Sequence, residues 1–156
     1  MRTDSAHPLA GSRVLVGISG SIAAVKLPLV VSSLVQCGAE VRCLVTPSAA
    51  QLVSPVALAS LSRNPCNLDA DQWSHRAARP LHVELAEWAE LVLVAPLSAT
   101  SLGRWVHGLA DSLLASTLLA TEAPVLAAAA MNTSMWTSPG VRRNWELRLC
   151  PLENCV

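Results

Sequence analysis

Phenylalanine and tyrosine are missing from the 156 residues, and five tryptophans make up the whole aromatic complement. No functional reading attaches to that absence. An excess of either charge is also missing: eleven basic residues balance eleven acidic ones without a dense basic block. That removes the electrostatic footprint of a nucleic-acid binder or of a protein drawn to an anionic membrane. Long apolar runs are missing too. The longest stretch, Leu113 to Met131, is broken by Ser116, Thr117, Thr121, Glu122 and Pro124, so it reads as helix, turn and strand rather than as a membrane span. The five cysteines (Cys37, Cys43, Cys66, Cys150 and Cys155) are odd in number and contain no C-x-x-C pair, and no signal peptide opens the chain. A reducing cytoplasm is the expected location. Cys/His spacing suited to a metal is absent, as is any discernible Ser/His/Asp order, which disfavours metal-assisted and triad hydrolysis.

What remains is an apolar chain, 52% hydrophobic and 14% charged. A globule of this size cannot hide all of that surface alone, so burial between subunits is expected. The length suits one domain, since domains typically run to about 100–150 residues. Residues 1–12 are polar and close on Gly11-Ser12, which reads as a flexible tail before a single domain over residues 13–156.

The periodicity alternates strand and helix. Val14-Leu15-Val16 runs into Gly17-Ile18-Ser19-Gly20-Ser21, followed by apolar residues at helical spacing that end at Gly38, with Pro28 marking a kink or a first regular turn. Glu40 to Thr46 reads as a second strand. Pro47 to Leu61 reads as a helix interrupted at Pro55, and the polar, broken segment from Arg63 to Pro80 as a surface loop. Leu81 to Ala89 has helical spacing, and Leu91 to Ala95 is a continuous apolar strand of the kind buried on both faces of a parallel sheet. Helices over Leu102 to Gly108 and Ser112 to Thr121, a strand over Val125 to Ala130 and a helix over Val141 to Leu149 complete the pattern. The order predicts an α/β, Rossmann-like three-layer αβα fold with a mostly parallel sheet, whose ligand sits beyond the carboxyl ends of the strands.

Candidate chemistry gathers at those ends. Gly17 to Ala24 forms a strand-to-helix turn that can cradle a phosphate on free backbone N–H groups, but it is neither G-x-G-x-x-G nor a Walker loop. Thr46-Pro47-Ser48 and Pro96 to Ser101 add hydroxyls at two further strand ends, with no basic residue among the three loops. Together they suit a ligand held by hydroxyls and backbone, although each alone is ordinary turn chemistry. His82 opens a helix, where the positive end of the dipole favours a neutral ring available as a base. Asn132 stands among apolar residues just after a buried strand. There a carboxamide orients a polar group without adding charge, or simply satisfies the turn.

The segments GISGSIAAVK, HVELAEWAELVLVAPLSAT, GLADSLLASTLLAT and AAMNTSMW occur in the order seen in flavin-dependent cysteine decarboxylases, which the chain resembles from about Arg13 to Trp145. Within that family the resemblance is strongest to the phosphopantothenoylcysteine-acting branch of coenzyme A biosynthesis. It implies FMN as cofactor, with Gly20, Ser21 and Ile22 at the first turn, Thr46 at the second, and Ser98, Ala99, Thr100 and Ser101 at the third. Ala130 would touch the flavin, from a neighbouring subunit if the family pattern holds. The resemblance further implies His82 as catalytic base, Asn132 as the holder of the substrate carboxylate, assembly as trimers or multiples of trimers, and a separate phosphopantothenoylcysteine ligase as partner.

Three departures accompany it. Thr100 and Ser101 stand where the family loop has Asn and Thr, and Ala129 replaces a proline. The coenzyme A branch finishes its reaction with a cysteine on a Gly-rich flap beyond the Met-Asn motif; no such flap follows here, and Cys150 and Cys155 lack the Gly-rich setting. Two other functions fit the same residues: a flavin prenyltransferase-like enzyme, disfavoured by the His82 helix and the Met-Asn-x-x-Met-Trp motif, and a non-catalytic FMN-binding regulatory or partner flavoprotein.

Overall fold

Five strands form one sheet in the order β3-β2-β1-β4-β5 in a computed structural model that describes residues 7–74 and 78–149. The strands are β1 (Arg13–Ile18), β2 (Glu40–Val45), β3 (Cys66–Leu68), β4 (Leu91–Leu97) and β5 (Val125–Ala129). All four pairings are parallel, so every strand delivers its carboxyl end to the same edge. Parallel pairing requires crossovers, and helices supply them. A 3-10 helix (Ile22–Lys26) and α1 (Leu27–Gln36) join β1 to β2, while α2 (Pro47–Ala50) and α3 (Pro55–Ser62) join β2 to β3. Further along come α4 (Leu81–Trp88), α5 (Ala99–Val106), α6 (Leu113–Ala120), α7 (Thr133–Trp136) and α8 (Pro139–Leu149).

The expected αβα architecture is the one observed. Two apolar layers flank the sheet: Val14, Val16, Val31, Val41, Cys43 and Leu58 pack on one side, and Leu15, Leu44, Leu85, Val92, Leu102 and Leu113 on the other. Alternate residues of β1 and β2 therefore serve opposite cores, which is why β1 reads as an apolar run, while β2 keeps Glu40 and Arg42 at its start and turns apolar from Cys43 on. Burial pushes the thiol of Cys43 up to about 12 and that of Cys66 up to about 11. Both act as packing groups rather than nucleophiles.

Two boundaries differ from expectation. Residues 7–12 do not hang free: the Leu9 N–H donates to Cys37 O, the Glu40 N–H donates to Ser12 O, and Leu9 packs against the first core. The interruption expected at Pro55 is observed: the 47–61 stretch is two helices, and Ser54 caps α3 by accepting from the Ala57 N–H. The supposed 63–80 loop contains β3. The Asn64 and Asn67 amides extend that short strand's attachment by donating to Val41 O (2.9 Å) and Cys43 O (3.0 Å). Pro28 occupies the first turn of α1, where a missing N–H costs nothing. Among the described residues no helix is long and apolar enough to cross a membrane.

Candidate functional site

Ser19 ties the first loop to the third. It is fully buried at the end of β1; its Oγ donates to Pro96 O (2.7 Å) and accepts from the Ser98 N–H (2.7 Å). The Thr46 N–H donates to Ile18 O (3.0 Å), which ties the second loop to the first. Thr46 and Ser98 then cap α2 and α5 by accepting from the Ala49 and Ser101 N–H groups. A Cβ added to Gly20 would lie 2.6 Å from Ser48 Cβ, so only glycine permits the first two loops to approach this closely.

The result is a polar cavity of about 220 Å³ whose walls include Gly20, Thr46, Ser48, Ser98, Thr100 and Ser101. Convergence of the three loops, expected from topology, is therefore observed. The cavity is not purely neutral, however. Asp69, Arg104, Asp111 and Ser112 complete its wall, with Arg104 Nε 2.8 Å from an Asp111 oxygen. Burial pushes the Asp69 carboxyl above its ordinary value, partly offset by the Leu113 N–H that it accepts (3.2 Å) and by Arg104. The sequence signal for Arg104 was its position three residues after Ser101 on one helix face. No local signal marked Asp69 or Asp111, which reach the site from a segment read as loop and from the turn before α6.

Ser21, Ile22, Ala99 and Ala130 lie outside the lining of this cavity, and Ile22 is exposed. His82 is at the start of α4, as expected, but lines a different cavity of about 400 Å³ with Gln72, Trp73, Ala110, Ser116, Leu119 and Ala120. Among the described residues the two cavities share none; Ala110 faces one and Asp111 the other. The Trp73 indole meets the His82 ring edge-on, with centroids 6.1 Å apart. Gln72, unnoticed in the sequence, has its Nε2 3.4 Å from His82 Nδ1. Asn132 is exposed beyond β5 and caps α7: its Oδ1 accepts from the Met135 N–H (2.8 Å), which leaves both amide protons available. One chain thus does not bring Asn132, His82 and the cradle into a common cavity. Cys150 and Cys155 lie outside the described residues, as does His75.

The profile described as Flavoprotein matches residues 2–148. The chain belongs to the Flavoprotein family. Over 131 residues this flavoprotein is 41% identical to the coenzyme A biosynthesis bifunctional protein CoaBC of Bacillus subtilis, covering 84% of the chain and 32% of the relative. It is 43% identical over 135 residues to phosphopantothenoylcysteine decarboxylase of Mus musculus, covering 81% of the chain and 63% of the relative. The flavoprotein therefore spans about a third of the bacterial protein and less than two thirds of the mouse one. Among solved structures, the FMN-dependent cysteine decarboxylase SpaF superposes with a TM-score of 0.83 at 33% identity, over 89% of this chain and 79% of that one. A phosphopantothenoylcysteine decarboxylase mutant complexed with pantothenoylaminoethenethiol superposes with a TM-score of 0.77 at 35% identity, over 88% and 76%. The kinship read from four sequence segments is borne out.

Proposed function

We propose that this flavoprotein binds FMN in the three-loop cradle and decarboxylates a cysteinyl compound, 4'-phosphopantothenoylcysteine, on the route to 4'-phosphopantetheine in coenzyme A biosynthesis. The observation that carries the reading is the cradle itself: a glycine that must lack a Cβ, the hydroxyl-bearing side chains of Thr46, Ser48, Ser98, Thr100 and Ser101 beside it, and the capped start of α5. That donor set suits a phosphate and a ring edge held by hydroxyls and backbone N–H groups, beside the charged Asp69, Arg104 and Asp111 of the same wall. Gly20, Ser21, Ile22, Thr46, Ser98, Ala99, Thr100 and Ser101 would hold the cofactor. Ala130 would approach it from a neighbouring copy.

Bound flavin supplies a hydride acceptor for the cysteinyl Cβ, which no side chain offers. Asn132 would orient the carboxylate. Because its Oδ1 is already engaged by Met135, the side chain meets the substrate with N–H donors only, the correct polarity for a carboxylate. A neutral donor also avoids the ground-state stabilisation that an arginine would give to a group about to leave as CO2. His82 would meet the substrate sulfur and control its proton, while the Trp73 edge fixes the ring plane.

The cradle volume is below the roughly 300–1,000 Å³ usual for small-molecule pockets, and the His82 cavity lies apart from it. A homotrimer, or a multiple of trimers, that joins one copy's cradle to another's His82 meets both facts. A phosphopantothenoylcysteine ligase, fused or separate, is the natural partner, and the cytoplasm the setting. The test is to purify the chain, load it with FMN and incubate it with 4'-phosphopantothenoylcysteine under mass spectrometry. A flavin spectrum and loss of CO2 are expected. Failure to take up FMN would overturn the cofactor assignment, and FMN uptake without CO2 loss would leave a binding protein only.

A further inference from the structure

The wall of the three-loop cradle sets two carboxylates, Asp69 and Asp111, against one cation, Arg104. That cation is committed: Arg104 Nε lies 2.8 Å from one oxygen of Asp111 and 3.1 Å from the other. Asp69 is the carboxylate left over. Its Oδ1 accepts from the Leu113 N–H at the start of α6 (3.2 Å), whereas its Oδ2 has no protein partner among the described residues and is the oxygen open to a ligand. Asp71, in the same turn after β3, spends an oxygen on the Leu68 N–H (2.8 Å). The loops after β1 and β2 add Gly20, Thr46 and Ser48 to the wall but no charge. With both carboxylates ionised, the wall therefore carries one negative charge in excess.

A phosphate monoester brings a further charge of about −1.5 to −2 near neutral pH, and a like charge beside a carboxylate disfavours its ionised form. Two changes relieve that repulsion. Arg104 can leave Asp111 for the phosphate, but Asp111 then stands unpaired on the same wall. Alternatively Asp69 can be neutralised, which costs less because burial already pushes its carboxyl above the ordinary value. Neutralisation also turns an acceptor into a donor.

We infer that Asp69 takes up a proton when the cradle receives a phosphate, and then holds that phosphate by an O–H hydrogen bond from Oδ2. This rests on the cradle being the FMN site. The proton comes from solvent, no bond between heavy atoms forms or breaks, and no electron moves. Oδ1 remains the acceptor of the Leu113 N–H in both states, so the start of α6 stays satisfied while Oδ2 changes from acceptor to donor. A hydrogen bond from the neutral carboxyl to an ionised oxygen is of the stronger, charge-assisted kind. Asp69 thus reads the phosphate rather than the flavin ring.

Isothermal titration of the purified chain with FMN, repeated in buffers of different ionisation enthalpy, counts the protons taken up on binding. Over about pH 6 to 9, the uptake should approach one proton per FMN where free Asp69 is ionised, and affinity should fall there by up to about tenfold per pH unit. Riboflavin, which has no phosphate, should bind without uptake, a comparison that needs no substitution. Asp69→Asn keeps an oxygen for Leu113 and a donor for the phosphate; its uptake above the phosphate's own titration should vanish, and its affinity should exceed the parent's at the alkaline end. A merely structural role for Asp69 would change the affinity at every pH and leave the proton count alone. Uptake that persists undiminished in Asp69→Asn puts the proton on the phosphate and overturns the inference. So does FMN binding without uptake at every pH, the result expected if Arg104 turns to the phosphate instead. A chain that binds neither FMN nor riboflavin sinks the cradle reading itself, an outcome distinct from either.

Discussion

Gly20 shows how a single missing methyl can hold a binding site open. Its α-carbon faces Ser48 at a separation that no Cβ tolerates, and Ser48 belongs to a loop already fastened to β1 through the Thr46 N–H. Gly20→Ala must therefore displace Ser48 or the backbone beneath it. Overpacking of this kind costs about 1–3 kcal/mol. The site lies at a loop, outside both cores, so the fold should survive while the cradle widens. FMN titration followed by flavin fluorescence should give an affinity about tenfold weaker, a change of about 1.4 kcal/mol. Unchanged affinity in a folded variant would show that the cofactor does not use the first loop. The glycine was legible in the sequence as a turn residue, but its partner was not. Ser48 precedes no recognisable motif, and Ser19, which clamps the loops together, looked like one more small residue between two glycines.

Asp69 belongs to the scale of elements, because it joins the end of β3 to the start of α6. Its carboxylate accepts from the Leu113 N–H beside the Ser112 cap, yet burial raises its proton affinity above that of an unfolded chain. The folded state therefore binds more protons than the unfolded state between the two pKa values. Stability falls as pH rises through that window, and the deficit persists at neutral pH. Asp69→Asn keeps an oxygen for Leu113 and removes the buried charge. Thermal melts should show a higher Tm than the parent at pH 7 and no difference near pH 3; a lower Tm at pH 7 would mean that the attraction to Arg104 outweighs burial. A carboxylate held at a stability cost on a cavity wall is what a functional site retains. None of this was readable beforehand, since β3 is only three residues long and follows Pro65. Its pairing is decided by β2 and by the Asn64 and Asn67 amides rather than by any period of its own. By contrast, β1, β2 and β4 were legible because two cores demand apolar residues on both faces of an inner strand, and α6 was legible because six consecutive residues are buried; β5 was legible from its apolar run, yet it is an edge strand with no buried residue, not the buried strand its sequence suggested.

For the whole molecule the decisive fact is that the cradle and His82 line separate cavities while large apolar side chains stay exposed. Ile22 is 74% exposed and Leu29 73% on the crossover after β1, and Leu126 60% on the edge strand β5, values that suit surfaces covered by other copies better than solvated ones. The sequence pointed to this excess through composition. It gave no sign that His82 and the cradle would lie apart, because strand-end topology places both on the same edge of the sheet without fixing which side of the turn before α6 each one faces. If a closed, symmetric assembly brings the cradle of one copy to the His82 of the next, two inactive chains should complement each other. His82→Asn keeps a working cradle, and Gly20→Val keeps His82 while its branched side chain drives Ser48 out of place. Carrying different tags, co-expressed and purified through both, the mixed assemblies should recover decarboxylation that neither homo-oligomer shows. Within a mixed ring, an intact cradle then faces an intact His82 at some of the contacts. Mixed assemblies that bind FMN yet release no CO2 would place the whole reaction inside one chain, and the separation of the two cavities would then have to be closed by movement of the turn between Ala110 and Ser112.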